Sequence, residues 1–231
     1  MERKIANSRA SGVGTGARTP DPESTKKDIL QIASEEFALN GLAGARVDEI
    51  AARTKSSKRM IYYYFRDKEG LYLSALEEAY RVVREGEARL DIAGLSPVAA
   101  LRKLVEFTFD HHRKHESFIR MVMIENIHNG AYLDRSDRIR ELNSRAIVTV
   151  ASLYERGLRD ELFRPGLDPL ELHWQISALC FFNVSNRATF SRIMGRDIGS
   201  PRSQASLRCH AVEMVLRFVL LPARLALLGK E

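Results

Sequence analysis

The chain has 231 residues, 45% of them hydrophobic and 29% charged, with a formal net charge of +6. Its 14 glycines and 7 prolines are few, and five of them (Gly12, Gly14, Gly16, Pro20, Pro22) fall in the first 22 positions; the rest is too poor in turn formers for a sandwich or barrel. No apolar run approaches the roughly 18–20 residues of a membrane span, and the opening MERKIANSRASG lacks the apolar segment of a signal peptide, so a soluble, cytoplasmic protein without membrane association is expected. Cys180 and Cys209 lie far apart in apolar surroundings and read as two buried thiols in a reducing compartment.

In chain order, residues 1–22 read as a flexible basic arm carrying Arg3, Lys4, Arg9 and Arg18, with too little apolar surface to offset its ordering entropy. Asp21-Pro22 predicts a helix start, and the stripe Ile29, Ile32, Ala33, Phe37 closes on Asn40-Gly41. Short helices follow over 47–54, with Val47, Ile50 and Ala51, and after Ser57, with Met60, Ile61, Tyr64 and Phe65. Asp67 caps a long fourth helix, and Ser96-Pro97 opens a fifth through about 115. A sixth occupies roughly 116–128, and a seventh starts at Asp134 or Ser136 and continues to about Arg159. Within the seventh, Ile147-Val148-Thr149-Val150 has strand propensity, but its flanks keep helical spacing. Asp168-Pro169-Leu170-Glu171 launches a helix that is apolar nearly all round, and a last one runs from about Ser203 to Leu221 before Pro222. The expected architecture is all-α, with about nine helices. Residues 23–70 form a head, and residues 71–231 form a larger helical domain.

The informative stretch is residues 45–71, ARVDEIAARTKSSKRMIYYYFRDKEGL. Two short helices joined by a tight turn and backed by a third make a helix-turn-helix. Ile50, Ala51, Ile61 and Phe65 would pack inward, leaving Lys58, Arg59, Met60, Tyr62 and Tyr63 outside. Between Arg53 and Lys68 six basic side chains face Asp67 alone, a local +5 that holds most of the net charge and points to nucleic acid.

Ile50-Ala51, Ser57, Ile61-Tyr62-Tyr63, Phe65, Lys68-Glu69 and Leu71, with the Ile29–Phe37 helix and Gly41 before them, resemble the TetR family of bacterial transcriptional regulators. The resemblance is strong over about residues 25–72. It implies a homodimer whose heads bind a palindromic operator in double-stranded DNA and whose helical body holds a small-molecule effector. On that reading the protein is a ligand-responsive repressor, released from DNA when the small molecule shifts the population of conformers. The positions matching base-reading residues are Lys58, Arg59 and Met60, suited to guanine edges and a thymine methyl. Those matching backbone contacts are Tyr62, Tyr63, Tyr64 and Lys68, and Arg46 and Ser57 join the DNA-binding set. Three positions depart from the family pattern: Lys55 where Gly usually makes the turn, Arg46 where Thr often caps the second helix, and Arg59 where Gly or Pro often starts the recognition helix. A minor-groove role for Arg9 and Arg18 is the alternative to a disordered arm.

Elsewhere, His111, His112 and His115 offer a helical i, i+4 pair, but no third ligand stands at a metal-site spacing, so no metal is expected. No nucleophile elbow, zinc-protease motif, phosphate loop or dinucleotide fingerprint occurs, so neither catalysis nor a cofactor is expected. The eighth helix carries His173, Trp174 and Asn183 in an apolar segment, and buried polar groups need partners. With the resemblance placing an effector among the fourth to eighth helices, the expected lining is Phe107, Arg120, Met121, His173, Trp174, Phe181 and Asn183. The expected pocket is of roughly several hundred Å³, touching Trp174. Arg and His beside aromatics suit an aromatic or heterocyclic acid, and residues 150–200 resemble regulators of the catabolism of such acids. Dimerisation is expected through residues 170–194 and 203–221, by Ile176, Leu179, Phe182, Val184, Phe190, Val212, Val215, Leu216 and Val219. The competing reading is an architectural or partner-regulated DNA binder on the same fold, which a closed core between the fifth and eighth helices would favour.

Overall fold

The computed structural model describes residues 21–229, so the basic arm, with Arg9 and Arg18, lies outside the described residues. Among those described there are ten α-helices and no named strand. They are α1 (Pro22–Gly44), α2 (Val47–Thr54), α3 (Lys58–Phe65), α4 (Lys68–Ala88) and α5 (Pro97–Lys114). There follow α6 (Glu116–Ile127), α7 (Asp137–Arg159), α8 (Pro169–Ser185), α9 (Arg187–Met194) and α10 (Pro201–Val219). Side-chain caps start most of them: Asp21, Ser57, Asp67, Ser96, Ser136, Asp168 and Ser200 each accept a first-turn backbone N–H. Each such bond satisfies one of the orphan donors of a helix start and contributes about 1 kcal/mol.

Two boundaries differ from the sequence expectation. The helical run of α1 breaks at Gly41, whose φ of +66° only glycine adopts freely, and one further turn carries it to Gly44. Residues 170–194, expected to serve as one of the two pairing segments, divide into two helices, the first ending at Ser185 and the next starting at Arg187. No Gly or Pro marks that break, so the apolar pattern gave no sign of the tenth helix.

The core has two main parts. Ile29, Ala33, Phe37, Ile50, Ile61 and Phe65 join α1, α2 and α3, and the same cluster continues into α4 through Leu71, Tyr72, Ala75 and Leu76. The second gathers Leu101, Leu104 and Phe109 of α5, Val150 and Leu153 of α7, Leu172, Ile176 and Cys180 of α8, and Val212, Val215 and Leu216 of α10. Burying each large aliphatic side chain contributes about 1.5–3 kcal/mol. Cys180 is buried as expected, but Cys209 is exposed, because it stands on the outer side of α10. A buried carboxylate ties α6 to the first turns of α4: Glu125 accepts from Tyr72 Oη at 2.8 Å and from the backbone N–H of Tyr132 at 3.1 Å and Leu133 at 3.3 Å. No described helix is long and apolar enough to cross a membrane.

Candidate nucleic-acid interface and effector region

The second and third helices are held by their inner faces alone. Ile50 and Ile61 are fully buried, Phe65 nearly so, and α2 turns into α3 through Lys55, which takes the left-handed conformation at φ 52°, ψ 26°. Here a lysine does what glycine usually does. Ser56 N–H closes the turn on Ala51 O at 3.0 Å, and Ser57 Oγ then accepts from Met60 N–H at 3.1 Å. Ser57 thus uses one acceptor lone pair on the cap and keeps its hydroxyl proton for an outside acceptor such as a phosphate. Arg46 stands at the N-cap of α2 without any side-chain cap bond, while its backbone N–H donates to Glu36 Oε1 at 3.0 Å. The missing hydroxyl is replaced by an exposed guanidinium.

The outer face of α3 carries Lys58, Arg59, Met60 and Tyr63, all exposed, Tyr63 at 80%. Arg59 makes no hydrogen bond or ion pair among the described residues, and Lys58 meets only Asp48 at 3.2 Å across an exposed, weak pair. Tyr62 and Tyr64 are half-buried against the head core; Tyr64 lies edge-on to Tyr63 and Phe65, with Lys26 5.4 Å from its ring centre. Lys68, the first residue of α4, donates to Ala43 O at 3.1 Å. Cations, tyrosine hydroxyls and a first-turn lysine on one small scaffold can neutralise phosphates and reach base edges.

The seven residues expected to line an effector pocket are not gathered together. Trp174 is 70% exposed, on the outer stripe of α8 with Leu170 and Phe182, because the i+4 repeat of those three points away from α5 and α7. Arg120 is exposed on α6 and pairs with Glu116 one turn earlier at 3.0 Å. Met121 belongs to the head-side core, and Phe181 packs near Val83, Phe118 and Val184. Asn183 is buried, but its amide pairs reciprocally with that of Gln204 at 3.0 and 2.9 Å, a latch between α8 and α10. Phe107 leans against Gly86, where a Cβ would come within 2.6 Å of its ring, and lies beside His111. His173 alone of the seven enters a polar interior.

That interior joins α4, α7 and α8 through residues that no local motif connects. Arg84 near the end of α4 forks onto Glu87 at 2.6 Å and onto Asn143 Oδ1 of α7 at 2.7 Å, and approaches His173 Nε2 of α8 at 3.5 Å. Ser177 Oγ lies 3.4 Å from the other ring nitrogen of His173. The Arg84 and Glu87 side chains are only 12% and 11% exposed. Burial raises the Glu87 carboxyl above its ordinary range despite Arg84. Burial, with Arg84 beside it, pushes His173 down to about 4, and His112 of α5 to about 4 for the same reasons. The space bordered by Glu87, Thr108, His173 and Ser177 is about 20 Å³, room for a single water and not the several hundred Å³ expected.

The larger opening lies elsewhere: an apolar groove of about 760 Å³ runs between α8, α9 and α10, lined by Leu179, Phe182, Phe190, Leu207 and Met214 among others. Of the residues expected at a dimer surface, Phe182 and Phe190 are exposed, whereas Ile176, Val184, Val212, Val215, Leu216 and Val219 are buried within the chain. Trp174, Ile193, Met214 and Phe218 are the outward apolar residues in their place. The apolar residues of α8 and α10 lie on both sides of each helix, and the packing of α5 decides which side is buried.

Comparison with known proteins agrees with this architecture. Residues 29–75 match the model of bacterial regulatory proteins, tetR family, and residues 97–215 match that of the tetracyclin repressor-like C-terminal domain. The HTH-type transcriptional repressor NicS of Pseudomonas putida is 33% identical, over 88% of this chain and 96% of its own length. The HTH-type transcriptional repressor SCO4008 of Streptomyces coelicolor is 33% identical over 60% of this chain and 69% of its own. In fold the chain is similar to FadR of Bacillus subtilis, solved in complex with stearoyl-CoA, with a TM-score of 0.63 at 17% identity, over 83% of this chain and 98% of that one.

Proposed function

The chain belongs to the tetR family of bacterial regulatory proteins and is a DNA-binding regulator, and on that premise we propose that it is a homodimeric repressor whose operator is palindromic and whose release is driven by a small molecule. The observation that carries the DNA-reading part is the exposed row Lys58, Arg59, Met60 and Tyr63 on a helix whose opposite face is buried. Arg59 and Lys58 read bases, and Arg46, Ser57, Tyr62, Tyr63, Tyr64 and Lys68 hold the phosphate backbone. Residues 23–70 act as the head and residues 71–231 as the regulatory body, with α4 belonging to both cores. The exposed apolar faces of α8, α9 and α10 support pairing with a second copy, which would bury Trp174, Phe182, Phe190 and Met214 in a bundle. Sedimentation that found only monomer at micromolar concentration would remove this part.

The effector acts on the lock formed by Arg84, Glu87, Asn143 and His173. An aromatic or heterocyclic carboxylate competes with Glu87 for Arg84, and a ring nitrogen or hydroxyl meets His173 or Ser177. Since Arg84 sits on the helix that begins at the head, opening this lock moves α4 and with it the spacing of the recognition helices. A thermal-shift screen of such acids, followed by operator release, tests it: hits that act equally on an Arg84→Met variant would overturn the site. The closed interior of about 20 Å³ favours a second reading, a DNA binder that answers to a protein partner or to nothing. A screen without any stabilising acid would support that one.

A further inference from the structure

Between the head and the body lies a cleft of about 500 Å³, bounded by α1, α4, the end of α5 and the start of α6. Its walls mix Leu30, Ala79, Val82 and Phe118 with charged groups. The three acids there are already neutralised: Glu35 by Arg53, Glu78 by Arg81, and Glu116 by Arg120 and Arg187. The two lysines are not, for Lys27 of α1 and Lys114 of α5 pair with no acid among the described residues. His111 also lines the cleft; its side chain is more than nine-tenths buried, and neither ring nitrogen has a hydrogen-bond partner. It stacks on the half-buried His115, which lines the same cleft, with ring centres 3.9 Å apart. Buried polar groups without partners are uncommon in folded proteins and ask for an explanation.

We infer that this head–body cleft is a second ligand site, separate from the Arg84 lock, which takes a small amphipathic anion with a planar apolar body. The apolar walls and the His115 ring hold the planar body, the His111 ring turns to donate its unpartnered N–H to the anionic group, and Lys27 and Lys114 supply the countercharge from the two sides. The volume is that of ordinary small-molecule sites. Because Lys27 belongs to the head and Lys114 and His111 to the body, a bound anion ties α1 to α5 and fixes the tilt of the head. Such a ligand sets the DNA-binding geometry without passing through the interior of the body.

The chain's six histidines make the test direct, since each ring can be labelled, resolved by NMR and assigned by single substitution. Titration with naphthoate is expected to move the His111 and His115 signals saturably, and the neutral naphthamide to move them far less. Lys27→Gln with Lys114→Gln, both exposed, should weaken naphthoate binding by about tenfold with folding unchanged. His111 and His115 signals that stay still, that respond equally to naphthamide, or that respond equally in the double variant overturn the site. His173 reports the Arg84 lock independently, so motion of its signal alone supports the lock and counts against the cleft.

Discussion

On α3, Lys58, Arg59 and Tyr63 face solvent with one weak ion pair among them, whereas the last turns of α4 bury Arg84 and Glu87 and bind them to α7 and α8. The exposed set has no structural work to do, so its charges stay free for an outside partner. The buried set has spent nearly all its hydrogen-bonding capacity inside the chain and can meet a ligand only by releasing something. Substitutions in the exposed row of α3 should therefore change binding and leave stability alone, and substitutions of the buried set should do the reverse until a ligand is present.

The sharpest break in that comparison comes from cutting the buried pair. Arg84→Met leaves the Glu87 carboxylate buried without its partner and is expected to cost about 3–5 kcal/mol in denaturant unfolding. Arg84→Met with Glu87→Met should recover most of it, since two apolar chains replace the pair. A single variant as stable as the parent would mean that the pair is solvated and the lock absent.

Acid should separate the two regions next. His111, His112 and His173 are held at about 3, 4 and 4, against an ordinary 6.5, so they remain neutral in the folded protein while the unfolded chain takes up protons. Their stabilising contribution is whole above pH 6.5 and is lost as pH falls from there toward 4. Between pH 6 and pH 5 the three together should remove about 3 kcal/mol, partly offset by Glu87, whose raised value works in the opposite direction. Urea unfolding at the two pH values checks this, and His112→Gln should flatten the slope.

The head answers to a smaller effect of another kind. Arg59→Ala is expected to weaken operator binding by about 1–3 kcal/mol and relax its specificity, and Lys68→Ala to weaken all sequences alike. Thermal stability of Arg59→Ala should stay within about 0.5 kcal/mol of the parent, because the side chain is exposed and makes no hydrogen bond or ion pair among the described residues. Unchanged DNA affinity in both variants would refute the assignment of α3.

The same contrast explains what could be read from the sequence. The head was legible because its determinants are local: the Ser57 cap, the Ile50, Ile61 and Phe65 face and the six cations lie within a few helical turns of one another. The Arg84 lock joins residues 59 and 89 positions apart, and neither Arg84 nor Glu87 stands out from an ordinary charged helix face. Trp174 misled for the converse reason. A tryptophan amid apolar residues reads as buried, yet the i+4 stripe it shares with Leu170 and Phe182 belongs to the face that α5 leaves uncovered.

The smallest effect concerns the turn of the helix-turn-helix itself. Lys55 holds φ at 52°, where a side chain's Cβ crowds the following carbonyl at a cost of about 1–2 kcal/mol. Glycine would relieve that crowding but would return about 0.5–1 kcal/mol through its freer unfolded chain. The net expectation for Lys55→Gly is a gain of about 0.5 kcal/mol, read as a small rise in the denaturation midpoint at unchanged slope. The turn's own bonds do not depend on the side chain, since Ser56 N–H to Ala51 O and Lys55 N–H to Ala52 O are backbone contacts. A DNA affinity that falls as stability rises would give Lys55 a phosphate to hold and explain why a strained lysine stands at this turn. A loss of stability instead would mean that its aliphatic stem packs usefully on the head.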